Sequence, residues 1–119
     1  MSRQRSVGIV ESMLDDAKRT AHRAVVARIL EGDGRASRAQ RRAAFDDVVV
    51  GEPLRTLIGK VTREPARVTD EDIALVKQSG LSEDEVFELV VCAAVGQATR
   101  QYESALAALA DAGADRETE

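Results

Sequence analysis

In the run VFELVVCAAVG, Glu88 and Cys92 stand one helical turn apart, and a carboxylate beside a thiol is the first place to look for chemistry. A charge among apolar neighbours is costly unless it is paired or used. Glu88 could be an acid–base group in a pocket between helices or subunits, or a charge that tunes Cys92. Arg100, three turns further on, and His22 could complete such a site. The plainer reading, which we prefer, pairs Glu88 with an arginine of another helix or subunit, or lets it reach solvent. Cys92 sits where a small hydrophobe would sit; without a second cysteine it cannot run dithiol chemistry, and no cationic neighbour in sequence favours its thiolate. His22, the only histidine, has no adjacent base or ligand pair and reads as a surface or interface residue. Tyr102 reads as core, its hydroxyl satisfied.

The other acids crowd into VTDEDIALVKQSGLSEDEVFEL. Thr69 is followed three residues on by Asp72, and Ser82 by Glu85, which is the spacing of a capping box. Asp70 to Asp72 and Glu83 to Glu85 then occupy first helical turns, where the positive end of the helix dipole favours carboxylates. Lys77 and Gly80 supply the intervening stop. A transition-metal site would want His or Cys in the segment, and a calcium loop would want its glycine elsewhere. Neither a metal nor a cofactor is expected. The G-D-G at 32–34 lacks the rest of a phosphate loop, and no serine stands in a nucleophile elbow.

Bulk composition narrows the partners. The 119 residues suit one domain with a modest core; 44% are hydrophobic and 32% charged, while aromatics supply only 3%. Ala, Val and Leu must fill the interior, so such a domain would gain from burial at a subunit interface. A net charge of −4 argues against nucleic acid or an anionic membrane as partner. The run Arg35, Arg38, Arg41, Arg42 is the local exception, read as a solvated face or else an anion or partner contact. No apolar run approaches the ~20 residues that cross a bilayer. Early acids (Glu11, Asp15, Asp16) speak against a secretory signal, and the lone cysteine suits a reducing cytoplasm.

Apolar periodicity places these residues on helices. Val7 to Ile29 carries a helical stripe that stops at EGDG. Ser37 can cap a second helix to about Val50, Pro53 suits the first turn of a third, and Pro65 closes it. A fourth follows Thr69. The last helix, Glu83 to about Ala110, is apolar nearly all round in its first half and should run through the middle of the assembly. Further along it keeps the stripe Phe87, Val91, Ala94, Ala98, Tyr102, Ala105, Leu109. Gly96, unfavourable mid-helix, implies a backbone passing close by. The fold class is all-α, with about five helices and a long central C-terminal one. A single domain spans 6–110, between loose tails at 1–5 and 111–119.

KVTREPARVTDEDIALVKQSGLSEDEVFELVVCAAVGQATRQYESALAAL, Lys60 to Leu109, resembles the core of the alkylhydroperoxidase D (AhpD)-like and carboxymuconolactone decarboxylase-like proteins. A-L-V-K-Q-S-G-L-S-E-D-E-V-F-E-L and the C-A-A-V-G after it carry the likeness. The resemblance implies an AhpD-like helical domain that self-associates, commonly as trimers or hexamers. The family's peroxidase branch carries E-x-x-x-C-x-x-C-x-x-x-H one helix ahead of the G-L-S turn. Counting back from Gly80 puts the cysteine places near Pro65 and Val68 and the histidine near Asp72, and none matches. A non-peroxidatic oligomeric scaffold or small-ligand-binding protein is therefore expected. The alternative is an acid–base enzyme of the decarboxylase type, with Glu88, Arg100 and, weakest, Cys92 as its candidate residues. A third reading is a partner-binding adaptor that uses the arginine run.

Overall fold

A computed structural model describes the backbone of residues 2–118 and the side chains of residues 12–113. The chain divides into two compact units, Met1–Gly32 and Asp33–Glu119. The first unit is a single helix, α1 (Ser2–Glu31), which starts ahead of residue 6 and ends, as its glycines require, at EGDG. The N–H of Gly32 closes the last turn on the Arg28 carbonyl at 2.9 Å. The stripe residues Met13, Leu14 and Val25 are exposed, while the side chains of Val7 and Val10 lie outside the described residues.

In the second unit, α2 (Arg38–Phe45), α3 (Leu54–Arg63), a 3-10 turn (Pro65–Arg67), α4 (Asp70–Gln78) and α5 (Glu83–Thr118) follow one another. The described residues are helical throughout their regular structure and include no strand. Local chemistry accounts for most boundaries. Thr69 and Asp72 exchange the two bonds of a capping box (2.9 and 3.2 Å), and so do Ser82 and Glu85 (both 3.1 Å). Ser37 caps α2 with Gln40 in the same reciprocal way. Gly80, at φ +116°, takes the left-handed conformation that ends α4.

Two boundaries differ from expectation. Helix α2 stops at Phe45 rather than near Val50. Asp47 adopts φ 57°, Val48 N–H donates to the Ala43 carbonyl and Asp47 N–H to that of Ala44, which together form a Schellman stop. Asp tolerates this conformation better than most residues, and Arg63 holds its carboxylate at 2.9 Å. Helix α5, expected to end near Ala110, continues to Thr118. The sequence from Asp111 onward contains neither proline nor a glycine stop signal strong enough to end it; lone Gly113 costs about 1 kcal/mol. Of the tails expected at 1–5 and 111–119, the side chains of 1–5 and 114–119 lie outside the described residues.

The core lies where α3, α4 and the start of α5 meet. Leu57, Val76 and Val86 form its centre, flanked by Leu54, Val61, Val68, Ile73, Leu81 and Val90. Leu89, Cys92 and Ala93 extend the buried face of α5 toward Ala44 and Phe45 of α2. Helix α2 packs on α5 more extensively than any other element. Its Arg35–Ala36 lead-in lies at Glu88 and its Phe45 end at Gly96 and Arg100, so the two helices run in the same direction. A Cβ on Gly96 would collide with the Phe45 carbonyl, whose carbon would lie only 2.7 Å away. This is the close backbone expected at that glycine.

Within the single chain, α5 leaves one side open: Phe87 and Leu109 are each 69% exposed, and Ala94, Ala98 and Ala105 face outward too. Tyr102, expected in the core, is 45% exposed.

Loss of either cap, Thr69→Ala or Ser82→Ala, should lower unfolding free energy by about 0.5–2 kcal/mol in calorimetry. Gly96→Ala should destabilise by about 1–3 kcal/mol through overpacking against α2, despite alanine's better helix propensity. A melting temperature unchanged or raised by Gly96→Ala would contradict the α2–α5 contact.

Candidate functional site

Glu88 leaves α5 one turn beyond its acidic first turn and reaches the chain that leads into α2. Its carboxylate accepts from Arg35 N–H at 2.8 Å (Oε1) and 3.0 Å (Oε2), and from Ala36 N–H at 2.7 Å (Oε2). Successive N–H groups converging on one anion form a backbone nest, here ahead of a helix N-terminus whose dipole also favours negative charge. Gly34 lets the turn wrap this closely, since a Cβ there would lie 3.1 Å from both carboxylate oxygens.

Burial alone would raise the Glu88 pKa. The bonds from Ala36 and Arg35 outweigh it, aided by the positive field of Arg41 and Arg35, and leave the carboxyl below its ordinary range. It is therefore a standing carboxylate at neutral pH and a weak proton acceptor, the opposite of a poised general base. The expected arginine partner is present as a field from Arg41, while the direct bonds come from backbone.

Cys92 is buried at 1% exposure and its thiol pKa is raised by burial, which outweighs the lowering field of Arg41; the Glu88 charge adds a smaller push upward. Glu88 does tune Cys92, but away from the thiolate that nucleophilic chemistry needs. Arg100 lies twelve residues past Glu88, about 18 Å along the helix. It donates to the Phe45 carbonyl and, at 3.1 Å, to Gln97 Oε1. Its guanidinium holds the C-terminal end of α2, so Glu88 and Arg100 do not share a pocket. His22 belongs to the Met1–Gly32 unit.

Asp72 and Arg42, also singled out in the sequence, have structural partners. Asp72 caps α4 and accepts from Lys60 Nζ on both oxygens at 2.9 Å. The Lys60 bond, then Thr69 N–H, draws its pKa down. Among the described residues no group of three or more His, Cys, Asp or Glu could hold a metal ion. The arginine run splits rather than forming one solvated face. Arg41 is 5% exposed on the inner face of α2, whereas Arg42 pairs with Asp46 at 3.0 Å and lies over the Phe45 ring.

Two depressions bear on ligand binding. A shallow one of about 540 Å³ adjoins Glu88, lined by Asp33, Gly34, Arg35, Asp84 and Phe87. A larger groove of about 770 Å³ runs between the 47–50 segment and α3, with Arg55, Lys60, Glu64 and Val49 among its walls. Sequence reading missed it, because it exists only where α2 ends early and leaves Val48 and Val50 on the surface. The described residues include no helix long and apolar enough to cross a membrane. No protein-family model, curated protein or solved structure matches the chain.

The folded-state pKa of Glu88 lies below its unfolded value, so its contribution to stability is full above the ordinary carboxylate range and is lost as pH falls through the folded value. Glu88→Gln should therefore cost about 1–3 kcal/mol at neutral pH, with the gap from the parent closing below about pH 4. Denaturant titrations at several pH values check this. A difference that stays constant with pH would count against the charge-assisted nest.

Proposed function

We propose that this chain is an AhpD-like, carboxymuconolactone decarboxylase-like helical protein without a redox cysteine pair, acting as a non-peroxidatic, self-associating scaffold or small-ligand-binding protein. The observation that carries the reading is the state of the two groups most able to do chemistry. Glu88 is committed to the Arg35–Ala36 turn, and Cys92 is a buried thiol with a raised pKa. Support for the family rests on the residues from Lys60 to Leu109, and the helix–turn–helix at Gly80 is compatible with it. Self-association, as trimers or hexamers by that likeness, is supported by apolar side chains left exposed along α5. Cytoplasmic placement rests on the lone cysteine.

An acid–base enzyme of the decarboxylase type is the second reading, and the open depression beside Glu88 is what favours it. A depressed carboxyl pKa speaks against Glu88 as its base.

Peroxide consumption with a dithiol reductant should not rise above the protein-free blank. A catalytic rate that disappears on Cys92→Ser would overturn the assignment.

A further inference from the structure

The outward face of α5 is apolar at seven successive positions, Phe87, Val91, Ala94, Ala98, Tyr102, Ala105 and Leu109. Val91 is half-buried and the other six are exposed. The spacing of these positions runs four, three, four, four, three, four. That order is symmetric about Ala98: Phe87 and Leu109 lie equally far from it, as do Val91 and Ala105, and Ala94 and Tyr102. A helix face symmetric about its own midpoint fits a second copy of itself turned end for end, which is an isologous two-fold contact.

We propose that this face is the contact between two copies of the chain, with their α5 helices antiparallel and crossing at Ala98. Large side chains then meet small ones on either side of the axis, Tyr102 against the partner's Ala94 and Val91 against the partner's Ala105. Ala98 lets the backbones approach where they cross. Phe87 and the partner's Leu109 close each end.

The helix dipoles select the same direction. A parallel pair would align them and bring the acidic turns at Glu83–Glu85 of both copies side by side, whereas the antiparallel pair opposes the dipoles and sets Glu85 level with the partner's Asp111 instead. The area is close to what a stable pair needs. The strip is about 33 Å long. Phe87 and Tyr102 alone expose on the order of 200 Å², taking roughly 200 Å² for a whole aromatic side chain. With Leu109, Val91 and the alanines, two such strips together approach the ~1,200 Å² at which stable interfaces begin.

The inference rests on the self-associating reading above, and cysteine cross-linking of the full chain tests the two separately. Sedimentation equilibrium first gives the subunit number. Single variants Ala98→Cys, Phe87→Cys and Leu109→Cys are then treated with a short bis-maleimide. Native Cys92 is buried, so the parent chain serves as the unlinked control. Circular dichroism checks that each variant is folded. Ala98→Cys should link to itself in most molecules. Phe87→Cys and Leu109→Cys should link when mixed and at least tenfold less when alone. Ala98→Glu, which sets two like charges on the axis, should raise the dimer dissociation constant at least tenfold. A Phe87→Cys chain that links to itself indicates parallel helices and overturns the proposal. An oligomer in which Ala98→Cys stays unlinked overturns it while leaving self-association intact. A monomer at every concentration overturns both.

Discussion

Helix α2 is short, and what keeps it in place is a charge at each end supplied by α5. Glu88 receives the N–H groups that precede its first turn, and Arg100 donates to the carbonyl that closes its last. Each charge has the sign that the helix dipole favours at that end. An eight-residue helix has little stability of its own, so this clamp and the apolar contact of Ala44 and Phe45 with α5 are what give it a place. Gly96 lets the two backbones touch at the Phe45 end, beside the Arg100 clamp. Glu88, Gly96 and Arg100 thus act on one neighbour.

That arrangement bears directly on function. A carboxylate with its oxygens held by fixed backbone donors has traded reactivity for structure, because the same bonds that stabilise the anion remove its tendency to take a proton. The neighbouring thiol is held neutral chiefly by burial. Arg41, the buried cation of α2, offsets some of the cost of both. The cluster reads as the polar cement of a helix pair, and the face proposed to meet a second copy lies on the other side of α5.

Much of the fold was legible because its signals are local. Thr69 with Asp72, Ser82 with Glu85 and Gly80 between them mark helix boundaries through bonds that span three or four residues, so sequence spacing alone locates them. Gly96 was legible as a close approach for a similar reason, since a costly residue mid-helix implies a local need. The Schellman stop at Asp47 was not legible, because aspartate is uncommon in that conformation and its partner, Arg63, comes from another helix. The nest around Glu88 was equally hidden: its donors are backbone groups more than fifty residues away, and backbone leaves no mark in composition. Arg41 carried a weak signal, since it shares the inner face of α2 with Ala44 and Phe45 rather than the outer face of the run.

From residue order alone follow an all-helical class, the starts of α4 and α5, the glycine stop between them and the absence of a cysteine pair. These depend on propensity, capping and counting, which act over a turn or two. Which face of α5 is buried, which partner Glu88 finds, and the separation of Arg100 from it were decided by tertiary structure. A helix that is apolar nearly all round gives no preference among its faces until the arrival of α2, α3 and α4 removes one of them from water.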